Sequence, residues 1–302
     1  MEYRPSVFVI LLNCSNLSVP NKSYGQASEG NSIFPNCINA GALCAILKMT
    51  NPYKPYLNTF FETITDFKHT ASRLNKVLLN DVKKYTAEGA RYFSGTALII
   101  GDWTGPTDKG WKINFPTGVQ KSTLKENYAN EIKKVLSREF GLAFAQCYEA
   151  LETLFKDFVN EKIQTDQNFR NSLPDKKHST RESLKGGDTI FELIKKAGGE
   201  RFKKYSHKNN NGFKFKETFT ILSEVRHSII HSQGKLKVSK IPSDKYYRML
   251  FEHLFPFDKL SGETLYLTFD YKSFDKLLTY MAEFGYQMFK ILSEEEKHDW
   301  KI

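Results

Sequence analysis

The sequence predicts a mainly α-helical fold with a smaller N-terminal α/β extension, and three observations carry that expectation. Apolar residues recur at helical spacing over 58–92, 122–163, 216–232 and 272–292. β patterns are confined to short stretches at 7–12, 96–100, 111–115 and 265–269. The chain is 302 residues long and 40 % hydrophobic, with 24 Phe and 15 Tyr, enough to build a packed core and to exclude a disordered chain.

In chain order, 7–12 reads as a short buried strand, 21–32 as a polar loop, and 40–49 as a short helix ended by Asn51 and Pro52. One long helix or two then cover 58–92. The segments 96–100 and 111–115 read as two strands around a turn-rich loop, with Trp103 and Trp111 as packing residues. The longest helical pattern spans 122–163 and should break near Gly141; its second half is apolar nearly all round, as a helix buried on more than one side requires. A polar loop over 164–188 leads to a short amphipathic helix at 189–196, capped by Gly198 and Gly199. After a loop at 205–213 come the helix 216–232, a helix at 243–254 stopped by Pro256, a lone strand at 265–269 and a last helix at 272–292. These elements divide into an N-terminal region, 1–120, and a helical domain, 121–302.

Four cysteines at 14, 37, 44 and 147 form no Cys-x-x-Cys pair and no zinc-like group with histidine. That usage suits a reducing cytoplasm. The apolar run at 7–12 is too short for a signal-peptide core or a membrane span. The net charge of +10 is unevenly spread: between 201 and 240, ten Lys or Arg face only Glu217 and Glu224, a local balance of +8. Such a flank favours a polyanion, and RNA or DNA is the commonest one.

That basic stretch contains Arg226-His227-Ser228-Ile229-Ile230-His231-Ser232-Gln233-Gly234, where Gly234 should stop the helix. On a helical wheel Phe219, Ile221, Leu222, Val225, Ile229 and Ile230 fill one apolar arc, while Thr220, Glu224, His227 and His231 form a polar stripe. Arg226 falls inside the arc. A guanidinium there needs a partner or a ligand, because an unpaired buried charge is costly. A structural salt bridge answers that need, and Glu149, in the middle of the apolar helix, is a candidate partner. A catalytic use also answers it: His231 can take a proton from an RNA 2′-hydroxyl near neutral pH, and the planar fork of Arg226 matches the oxygens of a charged phosphorane. The negative end of the helix dipole opposes phosphate there, so Lys235 and Lys237 would supply positive charge. A metal-based reading uses His227 and His231 at i, i+4 spacing, but Ser228 stands where a zincin carries its glutamate, and no third ligand has a recognisable spacing.

The stretch 226–234 resembles the signature of the HEPN superfamily (higher eukaryotes and prokaryotes nucleotide-binding): an arginine followed by a polar residue, a short apolar spacer and a histidine. The order of helices over 122–295 is similar as well. Ser232-Gln233-Gly234 departs from the commoner Asn-x-Gly. The resemblance implies a HEPN-like antiparallel helical bundle acting as a metal-independent endoribonuclease without cofactor, in toxin–antitoxin, abortive-infection or phage-defence systems. Arg226 and His231 would be catalytic, and His227 the polar residue that follows the arginine. It also implies a homodimer with a composite active site, and an antitoxin or defence-system partner. On that reading the arc carrying Arg226 should pack near the dimer contact and not in a monomer core. The alternative is a catalytically silent helical module that binds RNA or a protein.

Overall fold

The computed structural model describes residues 51–104, 114–173, 180–260 and 262–302, all within one compact unit, Met49–Ile302. The expectations for 7–12, 21–32 and 40–49, and Trp111, lie outside the described residues. What is described is mainly helical, with eight α-helices and two small sheets.

Helix α1 (Lys54–Thr86) starts on Pro55, whose fixed φ suits a first helical turn, and buries Leu57, Phe60 and Ile64. It packs against α2 (Tyr128–Thr165) and α8 (Tyr271–Glu295), so a helix placed before the boundary at 120 shares its core with helices placed after it. The α1–α8 crossing is close: a Cβ on Gly285 would come within 2.6 Å of the Phe60 ring, which only glycine avoids. Asn51 donates to Ser293 Oγ at 2.7 Å, and Lys162, nearly buried, bridges Glu296 at 2.7 Å and Asp166 at 3.0 Å. Tyr53 also donates to Glu296, at 2.8 Å. These bonds tie α1, α2 and α8 at one end.

α2 is unbroken over 38 residues, contrary to the expected break at Gly141. Glycine weakens a helix by only about 1 kcal/mol relative to Ala, and here Phe269 and Ile229 pack over Gly141. The helix also starts later than expected, because 122–124 belong to a strand. That strand is β2 (Asn114–Leu124), antiparallel to β1 (Phe93–Gly101), and the pair forms a sheet of its own. Trp103, expected to pack, is 94 % exposed. Among the described residues the hairpin has no second layer for it to pack against.

Among its described residues the expected loop at 164–188 contains a short helix, α3 (Gln167–Asn171), and a 3₁₀ turn at Arg181–Ser183. α4 (Asp188–Ala197) agrees with the expected short helix, but Gly198 and Gly199 join it to another, α5 (Gly199–His207), instead of ending the helical run. α6 (Phe215–Ser232) is the motif helix, followed by α7 (Lys245–Leu254). The strand near 265 is not alone: β5 (Thr264–Leu267) lies between β3 (Lys235–Lys237) and β4 (Phe257–Lys259) in an antiparallel sheet. Its outer strands are three residues each, too short for alternation to register in the sequence.

Candidate active site

The buried arc holds α6 in place. Phe219, Ile221, Leu222, Val225 and Ile229 are all buried, and the Phe219 ring stacks on Phe155 of α2 at 5.8 Å and Phe191 of α4 at 5.1 Å. The arc therefore belongs to the chain's own core, which corrects the expectation that it lies outside a monomer core. Ile230, placed in that arc by the wheel, is 47 % exposed, while Ser228 is buried and donates to Val225 O at 2.8 Å. The buried sector is centred near Val225 and Leu222, so Ser228 falls within it and Ile230 beyond its far border.

Arg226 stands at that border. Its Nη2 pairs with Glu149 Oε1 of α2, with the two side chains 31 % and 49 % exposed. Nε is buried and meets no acceptor among the described residues. An ion pair this open to water contributes about 0–1 kcal/mol, so its main effect is positional: the guanidinium is held against α2 with part of its edge outward. The next residues on α2 brace the neighbouring loop. Tyr148 donates to Glu152 at 3.1 Å, and Gly187 N–H donates to the same carboxylate at 2.6 Å. Burial, with that carboxylate beside it, pushes the Tyr148 hydroxyl well above the usual phenol range, so it stays a donor.

His227 and His231 are exposed one turn apart, their ring centroids 4.5 Å apart and their planes at 44°. Among the described residues no group of three or more His, Cys, Asp or Glu is placed to hold a metal ion. Five steps of about 100° separate Arg226 from His231 by about 140°. Two pairs result, Arg226 with Glu149 and His227 with His231, and no hydrogen bond or ion pair joins one pair to the other among the described residues.

The helix ends where expected, through two left-handed residues, Gln233 (φ 53°) and Gly234 (φ 78°). Gly234 N–H donates to Ser228 O at 3.1 Å, and Leu267 N–H donates to Gly234 O at 2.9 Å, so the turn is fastened to β5. The chain then enters β3, where Lys235 and Lys237 are exposed on either side of buried Leu236. Neither lysine has an ion pair among the described residues. Lys214 and Lys216, in contrast, lie at the other end of α6, roughly 23 Å along the axis from His231 at 1.5 Å per residue, and Lys216 is paired with Asp188 at 2.8 Å. The +8 of the sequence is thus divided between two ends of the helix, and Lys235, Lys237 and Lys240 are its share beside the motif.

A groove of about 600 Å³ adjoins the same end, lined by Ile229, Ile230, Lys235 and Tyr266 and by Lys134 and Arg138 of α2. These last two were not legible as site residues. Their only signal is the i, i+4 spacing of two cations on one helical face. No described helix is long and apolar enough to cross a membrane. Compared with protein-family models, curated proteins and solved structures, the chain matches none of them.

Proposed function

We propose that the chain is a metal-independent endoribonuclease of HEPN type, its helices forming the corresponding antiparallel bundle, and that it serves as a toxin or antiviral defence effector. The observation that carries this reading is Arg226 at the border of a buried arc, partly exposed, on the same last two turns as His231. In the reaction, His231 removes the proton of an RNA 2′-hydroxyl. The oxygen attacks the adjacent phosphorus while Arg226 neutralises the charge on the phosphorane oxygens, and the P–O5′ bond breaks with the 5′-oxygen taking a proton from water. The products are a 2′,3′-cyclic phosphate and a 5′-hydroxyl. His227, Lys235 and Lys237 bind the substrate backbone against the unfavourable end of the helix dipole. Because Arg226 and His231 diverge on one helix, a homodimer supplies the composite cleft, with Ile230 and Leu142 as exposed apolar residues near it.

The test is cleavage of single-stranded RNA in EDTA by the wild type, Arg226→Ala and His231→Ala. The expected loss is on the order of a hundredfold or more for each variant, the range for removing a charge-stabilising group or a general base. Two variants as active as the wild type would sink the reading. One observation favours a second reading, a silent RNA- or protein-binding module: Glu149 already occupies the guanidinium of Arg226. Salt-sensitive RNA binding without turnover over long incubation selects that alternative.

A further inference from the structure

The hairpin β1–β2 is fully exposed along nearly its whole length. A two-stranded hairpin is marginal in water unless a third strand or another layer covers it. Here its base is fixed: Tyr85, Tyr92 and Tyr128 cluster with centroids 4.2–5.6 Å apart, Lys121 pairs with Glu131 of α2 at 3.2 Å, and Lys125 donates to Ala87 O at 2.8 Å. Beyond that base Phe93, Leu98, Ile99, Ile100, Phe115 and Val119 are each about half exposed or more, as is Trp103 past the end of β1. They alternate between the two faces of the hairpin, Phe93 and Ile99 on one and Leu98 and Ile100 on the other. Exposed apolar surface gathered in one place marks an interaction site.

The two open edges differ. β2 is guarded in the ways natural sheets block edge-to-edge pairing: Pro116 has no N–H to offer, Gly118 sits at φ 74° within a bulge where 117–119 oppose Leu98 alone, and Lys121 adds a charge. β1, Phe-Ser-Gly-Thr-Ala-Leu-Ile-Ile-Gly, carries no proline and no charge over nine residues. Low charge, β-branched residues and no proline are the composition of a strand that pairs with another strand. An edge left unguarded on one side only suits an isologous contact in which that edge meets its own copy.

We infer that two copies of this chain pair through the β1 edges of their hairpins, antiparallel across a two-fold axis, to form a four-stranded sheet. The pairing is independent of the proposed reaction and of the motif helix. It is read by sedimentation velocity on the full chain without RNA. The wild type is expected to be dimeric, and Ile99→Lys combined with Thr96→Lys, which places two positive charges on the β1 edge of each copy, should weaken the dimer by roughly a hundredfold or more. Val119→Lys on the guarded strand should leave it within about threefold, and a chain with 94–123 replaced by a short Gly/Ser link should associate no more strongly than the β1 double variant, with its helical circular dichroism kept. A monomeric wild type at high micromolar concentration overturns the inference. So does a β1 double variant that dimerises like the wild type, whatever either protein does to RNA.

Discussion

The helical body and the hairpin handle similar residues in opposite ways. In the body, Phe155 is fully buried, packed between Phe219 and Phe284 at 5.8 Å each. In the hairpin, Phe93 is 69 % exposed. The difference lies in layers: α2 has α1, α4, α6 and α8 around it, whereas the hairpin is two strands with no second layer stacked on either face among the described residues. A phenyl ring therefore stabilises the fold in one place and is available for a contact in the other.

The largest break in that comparison is Phe155→Ala, expected to lower the unfolding free energy by about 3–5 kcal/mol, as truncations of buried aromatics do. Urea denaturation followed by circular dichroism measures it, and a loss under ~1 kcal/mol would mean that the body collapses around the hole. Lys162→Met should cost less, about 1–3 kcal/mol, since it leaves the carboxylates of Glu296 and Asp166 without their cation in a partly buried site. The same site sets a pH response. Asp166 accepts a bond from Phe169 N–H at the start of α3 and then one from Lys162, and together they hold its carboxyl below the ordinary value of 3.8. A lowered native pKa means the unfolded chain binds the proton more readily. That share of stability is present above 3.8 and fades as the pH falls through the lowered native value. Asp166→Asn should flatten the acid limb of a stability-against-pH curve, and an unchanged limb would refute the assignment. The smallest effect is expected in the hairpin: Ile99→Ala, measured at low chain concentration, should move the folding free energy by no more than about 0.5 kcal/mol. A larger loss would show that the hairpin is packed within the monomer.

The motif helix shows where sequence reading works and where it stops. Its start, its end at Gln233 and Gly234, and the burial of Phe219, Leu222, Val225 and Ile229 follow from the period of the apolar residues and the glycine that ends it. Glu149 could be named in advance as a partner for Arg226, because a carboxylate in the middle of an apolar helix is itself anomalous. The exposure of Ile230 and the burial of Ser228 could not be read, since both depend on how wide a sector α2 and α4 leave covered.

What the sequence determined by itself is local: helical period, the turn that stops α6, and the chemistry of Arg226, His227 and His231 at fixed spacing. Only the tertiary structure decided that α2 runs through Gly141, that three short strands form one sheet and that the basic run 201–240 is split along the axis of α6. It also left the β1–β2 arm uncovered. The physical reason is the same in each case. Periodicity and capping act over one or two turns of chain, while burial, sheet pairing and charge proximity depend on which distant segments come to lie beside them.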